Sequence, residues 1–307
     1  MRLLLPAVLA AALVSLTGCD FEDFGGIGKF SRDFHYNYAM NSNATLNLET
    51  FNGSVEISGW DQNTIDITGA KYGPTQADAD DLQVNISHTA DEVTIRVIRP
   101  AERRNNLGAK FNIRLPRTVH LDRITSSNGS IHTMECVGPS RFKSSNGAIK
   151  VEGLRGDLEA LTSNSAVELL DVEGNVTAHT SNGRVRADRL LGTLDATTSN
   201  SSIQATIDRA DRPVRVETSN GAIDLTLPKH YDRDLKAGTS NSSITVRLPA
   251  DTNAHIMAQT SNSSIASDFD LSMRGEFSKS RVDAQIGSGG PLIDLHTSNG
   301  HIKLARM

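Results

Sequence analysis

The sequence predicts an all-β protein, a single-stack parallel β-solenoid of about 18–21-residue coils that turn at Ser-Asn-Gly or Ser-Asn-Ser corners. Three observations predict it. One phrase, Ser-Asn-Gly/Ser followed by one residue and then Ile or Val, recurs along the chain. Apolar and polar residues alternate on both sides of that phrase, and glycines mark a second corner in the shorter copies.

The first segment is an address. Met1-Arg2 is a minimal positive start, and Leu3 to Leu16 is an apolar stretch too short for a comfortable membrane span, so residues 1–18 read as a secretory signal. Leu16-Thr17-Gly18-Cys19 resembles the lipobox of bacterial lipoproteins. That resemblance implies cleavage before Cys19, lipid on Cys19 as the new N-terminus, and a membrane as the protein's first partner. Residues 19–34, with Gly25-Gly26-Ile27-Gly28, read as a lipidated N-terminus and flexible tether. The expected location is extracytoplasmic, facing the periplasm or the cell surface.

Residues 35–120 form a less regular β region, interrupted from Lys71 to Leu82 and from Arg99 to Gly108, and are expected to cap the rod. Asp78, Asp80 and Asp81 fall in the first interruption and read as a solvated helical turn or loop. Residues 121–307 carry the regular repeat. Its Asn falls at Asn128, Asn146, Asn164, Asn182, Asn200, Asn220, Asn241, Asn262 and Asn299, with an earlier relative at Asn52. From Asn128 the gaps are 18, 18, 18, 18, 20, 21, 21 and 37. The 37-residue gap and the 76 residues between Asn52 and Asn128 are both near multiples of the period, which predicts unmarked copies inside them.

Alignment on Asn exposes the buried columns. Two residues before it stands Thr or Ser in every copy, as in Ser126, Thr162, Thr180 and Thr297. Four before are Phe142, Ala160, Ala178 and Ala196, and six before are Leu158, Val176, Leu194 and Val214; this period of two is a strand with one face inward. Ile or Val three residues after the Asn opens a second strand, as at Ile149, Val167 and Val185. The second corner carries Gly138, Gly156, Gly174 or Gly192, and Cys136 aligns there with the apolar Leu154, Val172 and Leu190, which makes it a buried small hydrophobe. In the longer copies this corner expands through Leu227-Pro228 and Leu248-Pro249.

A unit this small cannot bury its own apolar face, so copies must stack. From Asn52 to Asn299 the spacing predicts about 13 coils and a rod of roughly 60 Å at about 4.8 Å per coil. Stacked Asn amides are expected to bond along the axis beside a ladder of Thr, which gives the ten corner asparagines a structural role.

The phrase from Asn52 to Asp61 (Asn-Gly-Ser-Val-Glu-Ile-Ser-Gly-Trp-Asp), the later Leu-Pro pairs and the repeated Thr-Ser-Asn-Gly/Ser-x-Ile resemble the bacterial envelope family of β-strand-repeat proteins known as "putative adhesin", a domain of unknown function. The resemblance covers roughly Tyr38 to Lys303 and departs from the pattern between Asp268 and Gly290. It implies an extracytoplasmic β-solenoid without assigned catalytic residues.

Composition and motifs exclude several functions. With 31 Lys+Arg against 36 Asp+Glu and no basic patch, the chain lacks the field of a nucleic-acid binder. The nine His form no His-x-x-x-His pair, and neither a Gly-x-Ser-x-Gly elbow nor a phosphate loop is present, so no metal, cofactor or catalytic residue is assigned. Three functions remain. The first is a non-enzymatic lipoprotein whose solenoid acts as an adhesion, binding or scaffold module for a glycan or envelope protein. The second is a periplasmic structural or stress-linked protein acting through partner proteins, and the third, less favoured, is a polysaccharide-active β-helix enzyme using acids such as Asp268 or Asp270.

Overall fold

The computed structural model describes residues 30–100, 106–273 and 278–307. The signal, Cys19 and most of the expected tether lie outside the described residues. The N-terminal part contains β1 (Phe30–Ala39), β2 (Thr45–Thr50), β3 (Val55–Trp60), β4 (Thr64–Gly73), α1 (Gln76–Asp81), β5 (Gln83–His88), β6 (Glu92–Ile98) and β7 (Gly108–Pro116). The first strand thus begins at Phe30, inside the stretch read as tether.

The regular part runs through β8 (His120–Ser126), β9 (Ile131–Met134), β10 (Ser140–Ser144), β11 (Ile149–Glu152), β12 (Leu158–Leu161), β13 (Val167–Leu170) and β14 (Glu173–His179). It continues through β15 (Val185–Thr197), β16 (Ile203–Arg209), β17 (Val214–Glu217), β18 (Ile223–Thr226), β19 (Leu235–Gly238) and β20 (Ile244–Leu248). The last segment holds β21 (Ala254–Thr260), β22 (Ile265–Ser267), β23 (Leu271–Met273), β24 (Arg281–Ile286), β25 (Leu292–Thr297) and β26 (Ile302–Arg306).

Each coil contributes one strand before its Asn corner and one after it, so the stack has two lateral faces. Along the first face β2, β8, β10, β12, β14, the end of β15, β17 and β19 pair in parallel. Along the second, β3, β9, β11, β13, the start of β15, β16, β18 and β20 do the same. Equivalent residues lie directly on one another: Ile149 pairs with Ile131 and Val167, and Ala178 with Ala160 and Ala196. Inward residues of both faces, Cys136 among them, fill one continuous core. The fold is therefore the all-β solenoid that the periodicity predicts.

At the second corner the backbone of Gly156, Gly174 and Gly192 has φ of +145°, +146° and +149°. A side chain there would also strike the preceding coil, since a Cβ on Gly192 would lie 2.0 Å from the Gly174 carbonyl oxygen. Glycine is required on both counts.

The two long gaps hold something other than unmarked coils. The Asn128 Nδ2 donates to the Asn52 Oδ1 at 2.6 Å, so the Asn52 coil stacks directly on the Asn128 coil across 76 residues of sequence. The intervening chain lies on the other side of Asn52. There β6 and β7 add one further parallel rung to β2 and β3, β5 and β4 run antiparallel to β6 and β7, and β1 runs antiparallel to β4. At the far end the order of coils departs from the order of sequence. β25 pairs with β19 on one side and β21 on the other, and β26 pairs with β20 and β22. The Asn299 coil thus lies between those of Asn241 and Asn262. β24 then runs antiparallel along β21, with β23 outside it. Ten Asn coils and the rung of β6 and β7 replace the thirteen coils expected from sequence length, and antiparallel strands cover both ends.

The corner asparagines form one line of amide bonds in this spatial order. Each Nδ2 donates to the Oδ1 of the coil before it: Asn146 to Asn128, Asn164 to Asn146, Asn182 to Asn164 and Asn200 to Asn182, at 2.6–2.7 Å. Asn220, Asn241, Asn299 and Asn262 continue it at 2.7–2.9 Å, and Asn52 ends it by donating to the Leu107 carbonyl at 2.8 Å. Beside this line the buried Thr hydroxyls bridge coils. Thr180 Oγ1 donates to the Ser165 carbonyl at 3.0 Å and accepts from the Gly183 N–H at 3.1 Å.

In this order the residue after Asn is Gly53, Gly129 and Gly147 in the first three coils and then alternates: Ser165, Gly183, Ser201, Gly221, Ser242, Gly300, Ser263. A Cβ at Gly183, Gly221 or Gly300 would lie 1.7 Å from the carbonyl oxygen of the Ser beneath it. In sequence order Ser242 and Ser263 would be adjacent, so the alternation itself records the exchanged coil.

The ends are sealed by aromatic and cationic groups. Phe34 and Tyr38 pack against the core at the β1 end, and the Arg99 guanidinium lies 4.8 Å from the Phe51 ring centre. At the other end Arg306 covers Phe269 at 5.0 Å. Asp78, read as solvated, is instead buried. Its backbone N–H donates to Thr75 Oγ1 at 3.1 Å and its carboxylate accepts from the same hydroxyl at 2.7 Å, so Asp78 and Thr75 cap α1.

Two substitutions test these interactions. Asn182→Leu removes one donor and one acceptor from the amide line and is expected to destabilise by about 1–3 kcal/mol; an unchanged melting temperature contradicts a stabilising role for the line. Among the described residues the buried Thr133 Oγ1 has no hydrogen-bond partner; Thr133 is stacked between Ile57 and Val151. Thr133→Val keeps its shape and is expected to raise stability by about 1 kcal/mol in chemical denaturation, whereas a loss of stability would contradict the burial of an unsatisfied group.

Candidate functional site

The outward residues of the first face form a long polar surface. At several places on it unlike charges pair between coils. Arg141 lies between Asp122 and Glu159, at 3.3 and 3.4 Å, and Glu217 lies between Arg215 and Lys236, at 3.0 and 3.6 Å. The second face follows the same rule: Glu152 meets Lys150 at 2.7 Å and His132 at 3.2 Å, and Arg247 pairs with Asp224. Exposed pairs of this kind contribute little stability each, on the order of 0.2–1 kcal/mol. Their effect is to let unlike charges stack at strand spacing without repulsion.

The register shifts where β15 meets β16, around Leu190, and on the first face near the N-terminal end. Leu46 pairs with Leu121 and Asn47 with Arg123, so Asp122 is an extra residue in β8 against β2. The same shift shows against β10 between Ser140 and Phe142. This is a β-bulge. It leaves both Asp122 and Arg123 exposed where one outward residue would otherwise stand, and bulges of this kind re-aim side chains. The bulge borders a groove of about 270 Å³ whose walls include Asn47, Glu49, Thr94, Arg96 and Arg123.

Inside the groove most polar groups hold one another. Asn47 Nδ2 donates to Glu92 Oε1 at 3.1 Å, Thr94 Oγ1 donates to the same oxygen at 3.3 Å, and Arg96 Nε lies 3.9 Å from Glu49 Oε2. Arg123 has no ion pair among the described residues, so its five N–H donors face water. The groove is open and smaller than the roughly 300–1,000 Å³ of a site that encloses a small molecule. Its chemistry suits contact with hydroxyl and carboxylate groups of a larger ligand lying along the face.

A second groove of about 240 Å³ lies on the same face at the opposite end, bordered by Lys236, Met257, Gln259, Arg281, Asp283, Asp294 and His296. Beside it the His296 ring lies over Gly238, where a Cβ would come within 2.5 Å of that ring. His255 Nε2 bonds to Asp283 Oδ1 across the antiparallel β21–β24 pair at 2.8 Å.

The residues singled out in the sequence fall as follows. Cys19 lies outside the described residues. The ten corner asparagines are brought into one exposed line. Cys136 is buried, and burial pushes its thiol up to about 12, well away from thiolate chemistry at neutral pH. Asp268 binds backbone, its Oδ2 accepting from the Arg306 N–H at 3.3 Å, while Asp270 is exposed. The histidines remain dispersed, and among the described residues no cluster of His, Cys, Asp or Glu could hold a metal ion.

Sequence reasoning missed two things. One is the bulge, whose signal is visible in hindsight because Asp122 occupies the apolar column six residues before Asn128 and Leu121 stands one place early. The other is Asp66, buried at the N-terminal end beneath Arg114, His35 and Asn37, which approach to 2.8, 2.5 and 3.3 Å. Burial alone would raise this carboxyl, but hydrogen bonds from Arg114, His35 and Asn37 hold it down at about 2. Arg114 in turn lies 4.7 Å from the Trp60 ring centre.

Comparison with known proteins gives the family and the fold. A family model described as Toastrack DUF4097 matches residues 44–305. Solved structures similar to the chain include an adhesin from Bacteroides fragilis NCTC 9343, described as putative, at 15% identity, 91% coverage of this chain, 100% of that chain and a TM-score of 0.33. Another, from Parabacteroides distasonis ATCC 8503, is described as a putative lipid binding protein, at 13% identity, 91% and 98% coverage and a TM-score of 0.38. A putative cell adhesion protein from Clostridium sporogenes ATCC 15579 is 13% identical, with 90% and 100% coverage and a TM-score of 0.21. No curated protein matches the sequence.

Proposed function

Because the chain belongs to the Toastrack family, we propose that it works as a non-catalytic binding or adhesion module, held on the outer side of a bacterial membrane by lipid on Cys19. The observation that carries the reading is the groove at the β8 bulge, where Arg123 offers donors that no described residue takes up.

In a stack of near-identical coils each outward position is repeated every 4.8 Å or so, and a row of like side chains has no focus. Specific recognition needs a place where the repeat is broken and unlike groups converge. The bulge supplies one with Arg, Asn, Thr and Glu in reach of one another, the residue types that bind hydroxyl and carboxylate groups of glycans or extended peptides. Such contacts are individually weak, and a long face can add further ones along the rod. The lipobox-like Leu16-Thr17-Gly18-Cys19 supports attachment, since a signal core followed by Gly-Cys is read by lipid-transfer chemistry, and several acyl chains give stable anchoring.

The reading is tested in two steps. Protease treatment of intact cells, beside membrane fractionation and a Cys19→Ala control, is expected to digest the protein and to release it from the membrane fraction only in the control. Protection until the envelope is opened supports a periplasmic role through partner proteins in place of adhesion. Binding of the purified protein to isolated envelope glycans is then expected to weaken by at least tenfold in Arg123→Ala with no change in melting temperature. Equal binding by the variant contradicts the groove as the site.

A further inference from the structure

β1 is an open edge. Among the described residues its ten-residue backbone pairs only with β4, in unbroken antiparallel register from Phe30 opposite Gly73 to Ala39 opposite Thr64. Long edges are commonly blunted by a proline, a bulge or charged side chains; β1 has no proline and no bulge, and its charges are Asp33 and an Arg32 held by Asp80 at 2.6 Å. It also carries an unusual share of the chain's aromatic residues. The protein has 1 Trp, 4 Tyr and 9 Phe, and four of these 14 stand at alternate positions of this one strand: Phe30, Phe34, Tyr36 and Tyr38.

Their rings form a row along one side of the edge. Phe34 and Tyr36 are 6.0 Å apart, Tyr36 and Tyr38 are stacked at 6.3 Å, and Tyr38 stacks on His88 at 3.7 Å. Phe34 is anchored in the end of the core against Phe111 at 5.5 Å. Phe30 and Tyr36 stay 41% and 38% exposed. The edge therefore combines ladder groups unpaired among the described residues with the exposed rings of Phe30 and Tyr36.

We propose that β1 is the surface through which two copies of this chain pair, antiparallel, about a two-fold axis at Phe34. The strand is self-complementary in that register. A pair centred on a residue keeps both aromatic rows on the same side of the joined sheet. Centred on Phe34, it places Phe30 opposite Tyr38 of the second copy, Arg32 opposite Tyr36, and Ser31 opposite Asn37. On the other side of the sheet it places Asp33 opposite His35, twice over. Asp33 has no ion pair among the described residues, and His35 is held by Asp66 through Nε2, which leaves Nδ1 for the new partner. Centring one residue to either side sets Asp33 against Asp33 or His35 against His35, so charge as well as shape selects Phe34. The opposite end of the rod closes differently, with β23 and β24 folded antiparallel over β21, and pairing through β1 stops at two copies. The dimer is then two rods joined at their N-terminal ends.

The test uses the full chain. Opposed residues of an antiparallel pair have Cα atoms about 4.5–5.5 Å apart, within disulfide range. Phe34→Cys lies on the axis and is expected to form a covalent dimer in most molecules on mild oxidation. Because Phe34 also packs against Phe111, a second variant uses exposed positions: Ser31→Cys/Asn37→Cys is expected to cross-link while either single change is not. The unsubstituted chain under the same oxidation reports any cross-link through Cys19 or Cys136. Native mass spectrometry of the unsubstituted chain is expected to show a dimer that Tyr36→Asp weakens at least tenfold. A monomer throughout the micromolar range, or cross-linking in neither cysteine variant with both folded, overturns the proposal. A monomer whose β1 amides become protected on phosphatidylcholine vesicles also overturns it, and assigns the aromatic row to a lipid surface.

Discussion

Parallel stacking in register is the constraint from which the rest of the structure follows. When one coil is laid on the next at strand spacing, every side chain meets its own equivalent, so each position in the repeat must tolerate a copy of itself about 4.8 Å away. Aliphatic residues satisfy this by packing, as in the columns of Ile149, Val167 and Val185. Asparagine satisfies it because one amide carries both donor and acceptor, and can give to the coil below while receiving from the coil above. Charged residues cannot, and the chain answers by changing sign between coils, as Lys150, Glu168 and Arg186 do.

The same constraint explains the two corners. A tight turn repeated at strand spacing brings carbonyl oxygens of one coil against the α-carbons of the next. At the second corner glycine is repeated in every short coil because its backbone needs positive φ. At the Asn corner the first three coils carry Gly53, Gly129 and Gly147, and from Asn164 onward serine and glycine alternate. The buried Thr hydroxyl ties each pair, accepting from one backbone N–H and donating to the carbonyl of its neighbour. A stack built this way has no internal reason to stop, and it is the antiparallel strands at both ends, with aromatic residues over the core, that end it. Where the repeat is broken, at the β8 bulge and along β1, the chain presents groups that its own coils do not satisfy.

The solenoid was legible in the sequence because its determinants are local and periodic. Thr180, Asn182, Gly183 and Val185 lie within six residues and mark their coil without reference to any other. The order of the coils was not legible from spacing, because spacing carries no information on which coil touches which. The 76 residues after Asn52 fit four periods in number, yet they fold as β4, α1, β5, β6 and β7 around a single added rung. The 37 residues after Asn262 fit two periods, yet they hold an antiparallel cap and a strand pair inserted one place back. The exchange left a trace in the identity of single residues, Ser242, Ser263 and Gly300, and alternation there reads correctly only in spatial order. Asp66 was missed because it lies outside the repeat and its partner Arg114 stands 48 residues away, and Asp122 because it departs from its column at the bulge.

The most direct test of the stacking account is therefore the neighbour of the last coil. In the structure Thr245 and Lys303 are directly opposed on adjacent strands, and Lys303 is in turn opposed to Ala266. Sequential stacking would instead set Thr245 beside Ala266. The measurement is disulfide formation in the folded full-length protein carrying Thr245→Cys/Lys303→Cys, compared with Thr245→Cys/Ala266→Cys. The account predicts an intramolecular bond in the first pair and none in the second, whose residues are separated by a strand. The reverse pattern would contradict the inserted coil and the continuous line of asparagines built on it.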